Sequence, residues 1–257
     1  MNVFITGGTS GLGAALAALY LSRGARVGVC GGTRDNFQRA FSRANEQQVE
    51  FFDLDVRDRD ATRRILNAFA KGQSLDLVIA SAGVNNGRPV EQIASIDFDR
   101  EHLILDVNLK GFVHTVEAAL AVMLPKQTGH IVAIASAAAF FSLPRGGAYC
   151  ASKMALIRYC ECLAMDLKKE GIAVSCIAPG YVDTPLARAT QPGLADIPFL
   201  LTPDEAAILI SRAISSRREF VILPWGVRYL TFILSKIPKG LRLGILGLNK
   251  SEQGVRT

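Results

Sequence analysis

Short apolar runs alternate with longer stretches of helical period along this chain. Residues 3–6, 26–30, 49–53, 75–80, 131–135, 173–177 and 220–223 are rich in β-branched side chains. Most are apolar on successive positions, the pattern of strands covered on both faces. The segments between them are long enough to hold crossover helices. The alternation predicts an α/β fold, a doubly wound parallel sheet of about seven strands. No repeat or low-complexity linker divides the chain, so residues 1–224 read as one domain. Residues 184–202 break the pattern: Pro185, Pro192, Gly193 and Pro198 interrupt an apolar stretch, which predicts a mobile loop with at most a short helix.

A chain of 257 residues with 49% hydrophobic and 20% charged content can bury a core without disulfides. Its cysteines, Cys30, Cys150, Cys160, Cys162 and Cys176, show no CxxC pairing, and His102, His114 and His130 are scattered, so no metal site is expected. The first strand begins almost at Met1, leaving no leader ahead of it, and the plain reading is a reducing, cytoplasmic compartment with free thiols. Net charge is +6, but 225–250 hold Arg228, Lys236, Lys239, Arg242 and Lys250 and no acid, which leaves +1 for the remainder. That distribution argues against a nucleic-acid partner. It marks 225–257 as a basic amphipathic tail.

Candidate chemistry starts with Thr6-Gly7-Gly8-Thr9-Ser10-Gly11-Leu12-Gly13, which joins the first strand to a helical stretch. A glycine turn in that place bares backbone N–H groups at a positive helix end, where a pyrophosphate can approach. Later, Tyr149 and Lys153 stand four apart at the start of a predicted helix and so share a face. The lysine charge is expected to pull the phenol pKa down toward working pH. Ser136 ends the fifth strand, thirteen residues ahead of Tyr149, where its hydroxyl can hold a carbonyl oxygen. Asn108 lies within a predicted long helix, and a weak helix former there points to a local purpose. Each residue also has an ordinary reading as a turn or helix residue. Their joint order, in register with the strands, carries the chemistry.

Together these motifs resemble the short-chain dehydrogenase/reductase family, from Val3 to about Leu223. The resemblance implies a Rossmann-like domain and a catalytic set of Asn108, Ser136, Tyr149 and Lys153. It places Gly7, Thr9, Ser10, Gly11, Leu12 and Gly13 on the pyrophosphate and Asp55 and Val56 at the adenine. Ala82 and Gly83 come to lie close under the cofactor, where Ala80-Ser81-Ala82-Gly83 replaces the usual Asn-Asn-Ala-Gly. Pro179, Gly180, Val182 and Thr184 fall at the nicotinamide carboxamide, and Tyr149 and Lys153 at its ribose. Asp55 has a second reading as a cap for the next helix. Family members that use NAD often carry an acid where this chain has Gly31. Gly32, Thr33 and Arg34 follow, and Arg34 could bond a ribose 2′-phosphate. NADP (as NADPH) is therefore favoured, with NAD as the alternative. Ser10 stands where some NADP users have a second base.

The implied reaction reduces a carbonyl to a secondary alcohol, or the reverse. Phe140, Phe141, Leu143, Leu186, Leu194, Ile197, Phe199 and Leu200 predict an apolar, lipid-like substrate if they face the cleft, and structural packing if they do not. The tail suits peripheral contact with an anionic membrane through 225–250, with Arg228, Thr231 and Ser235 as a polar stripe; packing on the domain or a dimer mate is the alternative. Family-like pairing implies a homodimer or homotetramer. Two readings from other classes remain: a catalytically silent NADP-binding scaffold and a membrane-associated interaction protein.

Overall fold

The computed structural model describes residues 1–42, 48–85, 96–143, 146–191 and 193–236. Pro192 and the expected tail bases Lys239, Arg242 and Lys250 lie outside the described residues.

Seven parallel strands form one sheet in the order β3-β2-β1-β4-β5-β6-β7. They are β1 Asn2–Thr6, β2 Arg26–Cys30, β3 Val49–Phe52, β4 Leu77–Ala80, β5 Gly129–Ile134, β6 Ile172–Pro179 and β7 Phe220–Leu223. The helices are α1 Gly11–Ser22, α2 Arg34–Phe41, α3 Arg59–Ala70, α4 Phe98–Leu105, α5 Gly111–Met123, α6 Gly147–Asp166, α7 Pro185–Thr190, α8 Pro203–Ser215 and α9 Trp225–Lys236. Alternate side chains of each central strand enter opposite cores. Phe4, Val78 and Ile131 pack with Leu66, Phe69, Val116 and Leu156 on one side. Val3, Ile5, Ile79 and Val132 pack with Leu16, Ala17, Ile210 and Ile214 on the other. Burial on both faces explains why these strands read as unbroken apolar runs.

Strand order reverses between β1 and β4. In an open α/β sheet a ligand crevice forms there, beyond the carboxyl ends of the strands. The helices around it start in two ways. Thr33, Asp58, Asp97, Thr184 and Thr202 each accept a backbone N–H and cap α2, α3, α4, α7 and α8. α1 and α6, which border the crevice, begin at Ser10 and Gly146 with no capping side chain of their own.

The Phe98–Lys126 helical run is long and apolar enough to cross a membrane. Ile104, Phe112, Val116, Ala119 and Met123 are instead buried, the last four in the core around β4 and β5. Asn108 interrupts this helix. Gly111 N–H bonds the Asp106 carbonyl five residues back, so the helix widens over Asp106–Lys110 into one π-helical turn.

Candidate active site

Packing, not only turn geometry, demands the glycines after β1. Gly7 holds φ +68°, and a Cβ there would lie 2.8 Å from the Ala82 backbone. At Gly13 a Cβ would lie 2.1 Å from the Gly7 carbonyl oxygen. The loop, the start of α1 and the end of β4 are thereby pressed into one cradle. The missing asparagines after β4 are compensated from β1: the Thr6 hydroxyl accepts the Ala82 N–H at 3.2 Å. The first turn of α1 carries no acid and Ser10 makes no cap, so its N–H groups face the crevice free of a competing anion. This chemistry fits the diphosphate of a dinucleotide. Gly11 and Leu12 stand at that helix start, and Thr184 closes over it, within 3.1 Å of a Cβ built on Gly11. The Thr9 hydroxyl points the other way and donates to the Gly31 carbonyl.

At the end of β2, Gly31 and Gly32 hold φ +93° and +69°. A Cβ on Gly32 would sit 2.5 Å from Thr9 Oγ1, so no side chain fits at the position directly after the turn. The first cation is displaced to Arg34, the opening residue of α2, behind the Thr33 cap. Its guanidinium lies 5.2 Å from the Phe51 ring centroid and is exposed. Asp55 does not cap α3; Asp58 does. The Asp55 carboxylate instead holds Arg57, whose Nε donates at 2.9 and 3.0 Å, and that bond keeps its pKa below the ordinary value. Val56 turns its side chain into the core against Gly111, while His114 bonds its carbonyl.

The four candidate catalytic residues converge from β5, α6 and the widened helix. Asn108 is buried: its Oδ1 accepts Val84 N–H at 2.8 Å, and its Nδ2 donates to Val84 O at 3.0 Å and Ser152 Oγ at 3.2 Å. Gly83 leaves the space where Asn108 and Lys153 meet, each 3.4 Å from a Cβ built there. Lys153 is buried, and its Nζ donates to Ile134 O at 2.9 Å. Burial pulls its pKa down to about 8. Ser136 caps the short turn Ala137–Phe140, its hydroxyl accepting Ala138 N–H at 3.1 Å, and lies beside the Tyr149 phenol.

One expectation changes here. Lys153 Nζ lies 5.7 Å from the Tyr149 ring centroid, but the phenol pKa is raised, not lowered. Burial dominates, the nearby Ser136 hydroxyl opposes it, and Cys150 and Tyr181 add to the rise. In the protein alone Tyr149 is a protonated acid.

Sequence reasoning missed three residues that hold this set together. Ser152 joins Asn108 to the Tyr149 carbonyl, donating to it at 2.8 Å. Glu101 of α4 supplies the cap α6 lacks, accepting Ala148 N–H at 2.7 Å. Tyr181, next to the Pro179–Gly180 turn, lies near Tyr149 and donates to Gln191 at 3.2 Å. A polar residue within YxxSK was the one visible signal, for Ser152. Glu101 and Tyr181 act across the fold and left none.

Beyond β6, Gly180 N–H bonds Leu223 O at 2.7 Å, and Val182 bridges Leu201, clasping the base of the 184–202 segment. That segment carries α7 and a short turn at Leu194–Asp196, as a loop with one short helix should. Phe140 packs edge-on against Phe220, and Leu194 is buried, so these two serve packing. α9 is seated on the domain: Val227 covers Gly180, and Gly226 lies under Phe199. The expected polar stripe does not form, because Thr231 is buried while Arg228 is exposed.

The sequence profile of the short chain dehydrogenase family matches residues 1–195. An uncharacterised oxidoreductase of Myxococcus xanthus (strain DK1622) is 34% identical over 243 residues, 93% of this chain and 94% of its own. A 3-oxoacyl-[acyl-carrier protein] reductase of Brucella melitensis has a similar structure, with TM-score 0.73 and 28% identity over 86% of this chain and 89% of its own. A Burkholderia cenocepacia short chain dehydrogenase in complex with NADP shares the fold, with TM-score 0.78 at 22% identity over 95% and 97% of the two chains.

Proposed function

This chain belongs to the short-chain dehydrogenase/reductase family and is an NAD(P)-dependent oxidoreductase, and we propose that it works as an NADPH-dependent carbonyl reductase with Tyr149 as its acid. The observation that carries the reading is the convergence of Ser136, Tyr149, Lys153 and Asn108, with Gly83 leaving the space where the last two meet, at the foot of a glycine cradle.

The bound nicotinamide supplies the hydride. The protein's own part is to place the carbonyl oxygen and protonate it. Ser136 offers its hydroxyl to that oxygen, and the adjacent Tyr149 phenol, kept protonated by burial, donates its proton. Asn108 and Ser152 fix the helix turn beneath, so Tyr149 and Lys153 keep their facing positions. Lys153, less basic than an exposed lysine, is suited to hand on a proton near neutral pH. A protonated Tyr149 is the form that the reductive direction requires. Arg34, free of a competing carboxylate at Gly31 and Gly32, is the residue we assign to the 2′-phosphate. Leu200 and Leu186, in the segment that follows the Val182 bridge, favour an apolar carbonyl compound. The family's pairing habit extends to this chain as a proposed homodimer or homotetramer.

The test is a panel of ketones, 3-oxoacyl thioesters and steroids with NADPH and NADH in parallel, run on wild type and Tyr149→Phe. Turnover with NADPH should fall about 10²–10⁴-fold in the variant. Full turnover without the phenol overturns the assignment.

A further inference from the structure

We propose that the face built by the 184–202 loop and α9 docks on the anionic surface of a phospholipid membrane. The helix is mounted with its small and buried positions, Gly226, Val227 and Thr231, against the domain. Its large apolar residues point outward instead. Trp225 is 77% exposed, Tyr229 and Phe232 64%, and Leu230 and Ile233 41%. From the loop, Phe199 extends the same surface: it is 46% exposed, and its ring stands 6.2 Å from that of Trp225. Phe199 also holds φ +63°, a left-handed conformation that an aromatic residue rarely adopts. A continuous aromatic patch of this kind marks an interaction surface.

Charge selects the partner. Arg228 is exposed within the patch. Across 225–250 the sequence adds Lys236, Lys239, Arg242 and Lys250, no acid, and four leucines and one isoleucine between the last three. Two copies joined face to face would bring Arg228 and its like together with no acid from α9 to answer them, because a two-fold interface pairs like patches. An anionic bilayer complements that charge, and Trp and Tyr are the residues favoured at a membrane–water boundary. Arginine can extend its charge to the headgroups while its stem stays among apolar neighbours. Docked this way, the loop beside the Pro179–Gly180 turn would open onto the bilayer, and the carbonyl substrate would be one dissolved in the membrane. That consequence rests on the oxidoreductase reading; the docking itself does not.

Trp225 is the single tryptophan of the chain, so the intact protein reports on its own surface. Full-length protein is titrated with phosphatidylcholine vesicles, with and without about 30% phosphatidylserine. Tryptophan emission and vesicle flotation are followed, with no enzyme assay involved. The expected result is a blue shift and co-flotation with the anionic vesicles, weakened about a hundredfold on neutral ones and by added salt. The pair Tyr229→Ser and Leu230→Ser, both exposed, should abolish flotation without lowering the melting temperature. No shift and no flotation with anionic vesicles overturns the proposal, as does equal binding to neutral vesicles or full binding by the double variant. A blue shift that appears without lipid as protein concentration rises also overturns it, in favour of a second copy on this face.

Discussion

Replacing Lys153 by methionine should inactivate the protein and stabilise it. The amine is 5% exposed, bonds one carbonyl, and has no carboxylate partner among the described residues. Burial takes its pKa from 10.5 to about 8. At ~1.4 kcal/mol per pKa unit, keeping it charged costs the folded state about 3 kcal/mol at pH 7. Methionine occupies similar volume without charge, but leaves the Ile134 carbonyl unpaired, at about 1 kcal/mol. A net gain of about 2 kcal/mol remains, roughly 4–8 °C in Tm for a chain of this size. The gain depends on pH in a defined sense. Between pH 8 and 10.5 the folded wild type sheds the proton that the unfolded chain still holds, so wild-type stability rises across that window. The advantage of the variant should therefore close by about pH 10. Urea unfolding of both proteins at pH 7 and pH 10 measures it. A variant less stable than wild type at pH 7, or a gap unchanged at pH 10, would refute the reasoning.

His130 gives the acid-side counterpart. Ser175 donates to Arg218 O and takes a bond from His130 Nε2 at 2.8 Å, while burial first, and Arg217 second, pull the imidazole pKa from 6.5 to about 4. The unfolded chain therefore takes up the proton first, and about 2 kcal/mol of stability should be lost from pH 7 to 5, a slope that His130→Gln removes in urea titrations. Gly13→Ala forces a Cβ to 2.1 Å from the Gly7 oxygen; it should weaken NADPH binding more than about tenfold, by fluorescence titration, and destabilise the fold by about 1–3 kcal/mol. Arg34→Ala should raise the Kd for NADPH by about 10–100-fold and leave that for NADH unchanged. Equal losses for both would show that Arg34 serves only its stacking on Phe51.

The sheet was legible because its strands are buried on both faces, a state that writes itself into consecutive residues. The ends were less so. β5 starts at Gly129–His130 because His130 finds Ser175 inside the fold, a partnership no local pattern announces. The positions of Asn108, Ser136, Tyr149 and Lys153 could be read from spacing alone, since strand ends and helix turns fix them. The electrostatics could not. Proximity of a lysine predicted a lowered phenol pKa, yet burial acts on both groups and reverses the direction. The sequence pattern on α9 offers a polar stripe of Arg228, Thr231 and Ser235 and leaves open which face meets the domain. Close packing on Gly180 and under Phe199 selects the small residues for the inner face and turns the large ones out.

The paired left-handed glycines after β2 bear on how this protein can change over evolutionary time. Family members that use NAD often carry a carboxylate where this chain has Gly31, and a single substitution would ordinarily suffice to place one. Here the backbone at 31 and 32 runs with positive φ, and a Cβ at 31 would stand 3.3 Å from Gly7. An aspartate installed there meets a left-handed penalty of about 1–2 kcal/mol and disturbs the phosphate cradle at the same stroke. An acid at this place is thus barred by the route of the main chain rather than by an exchangeable side chain. A lineage could install one without strain only by rerouting the loop.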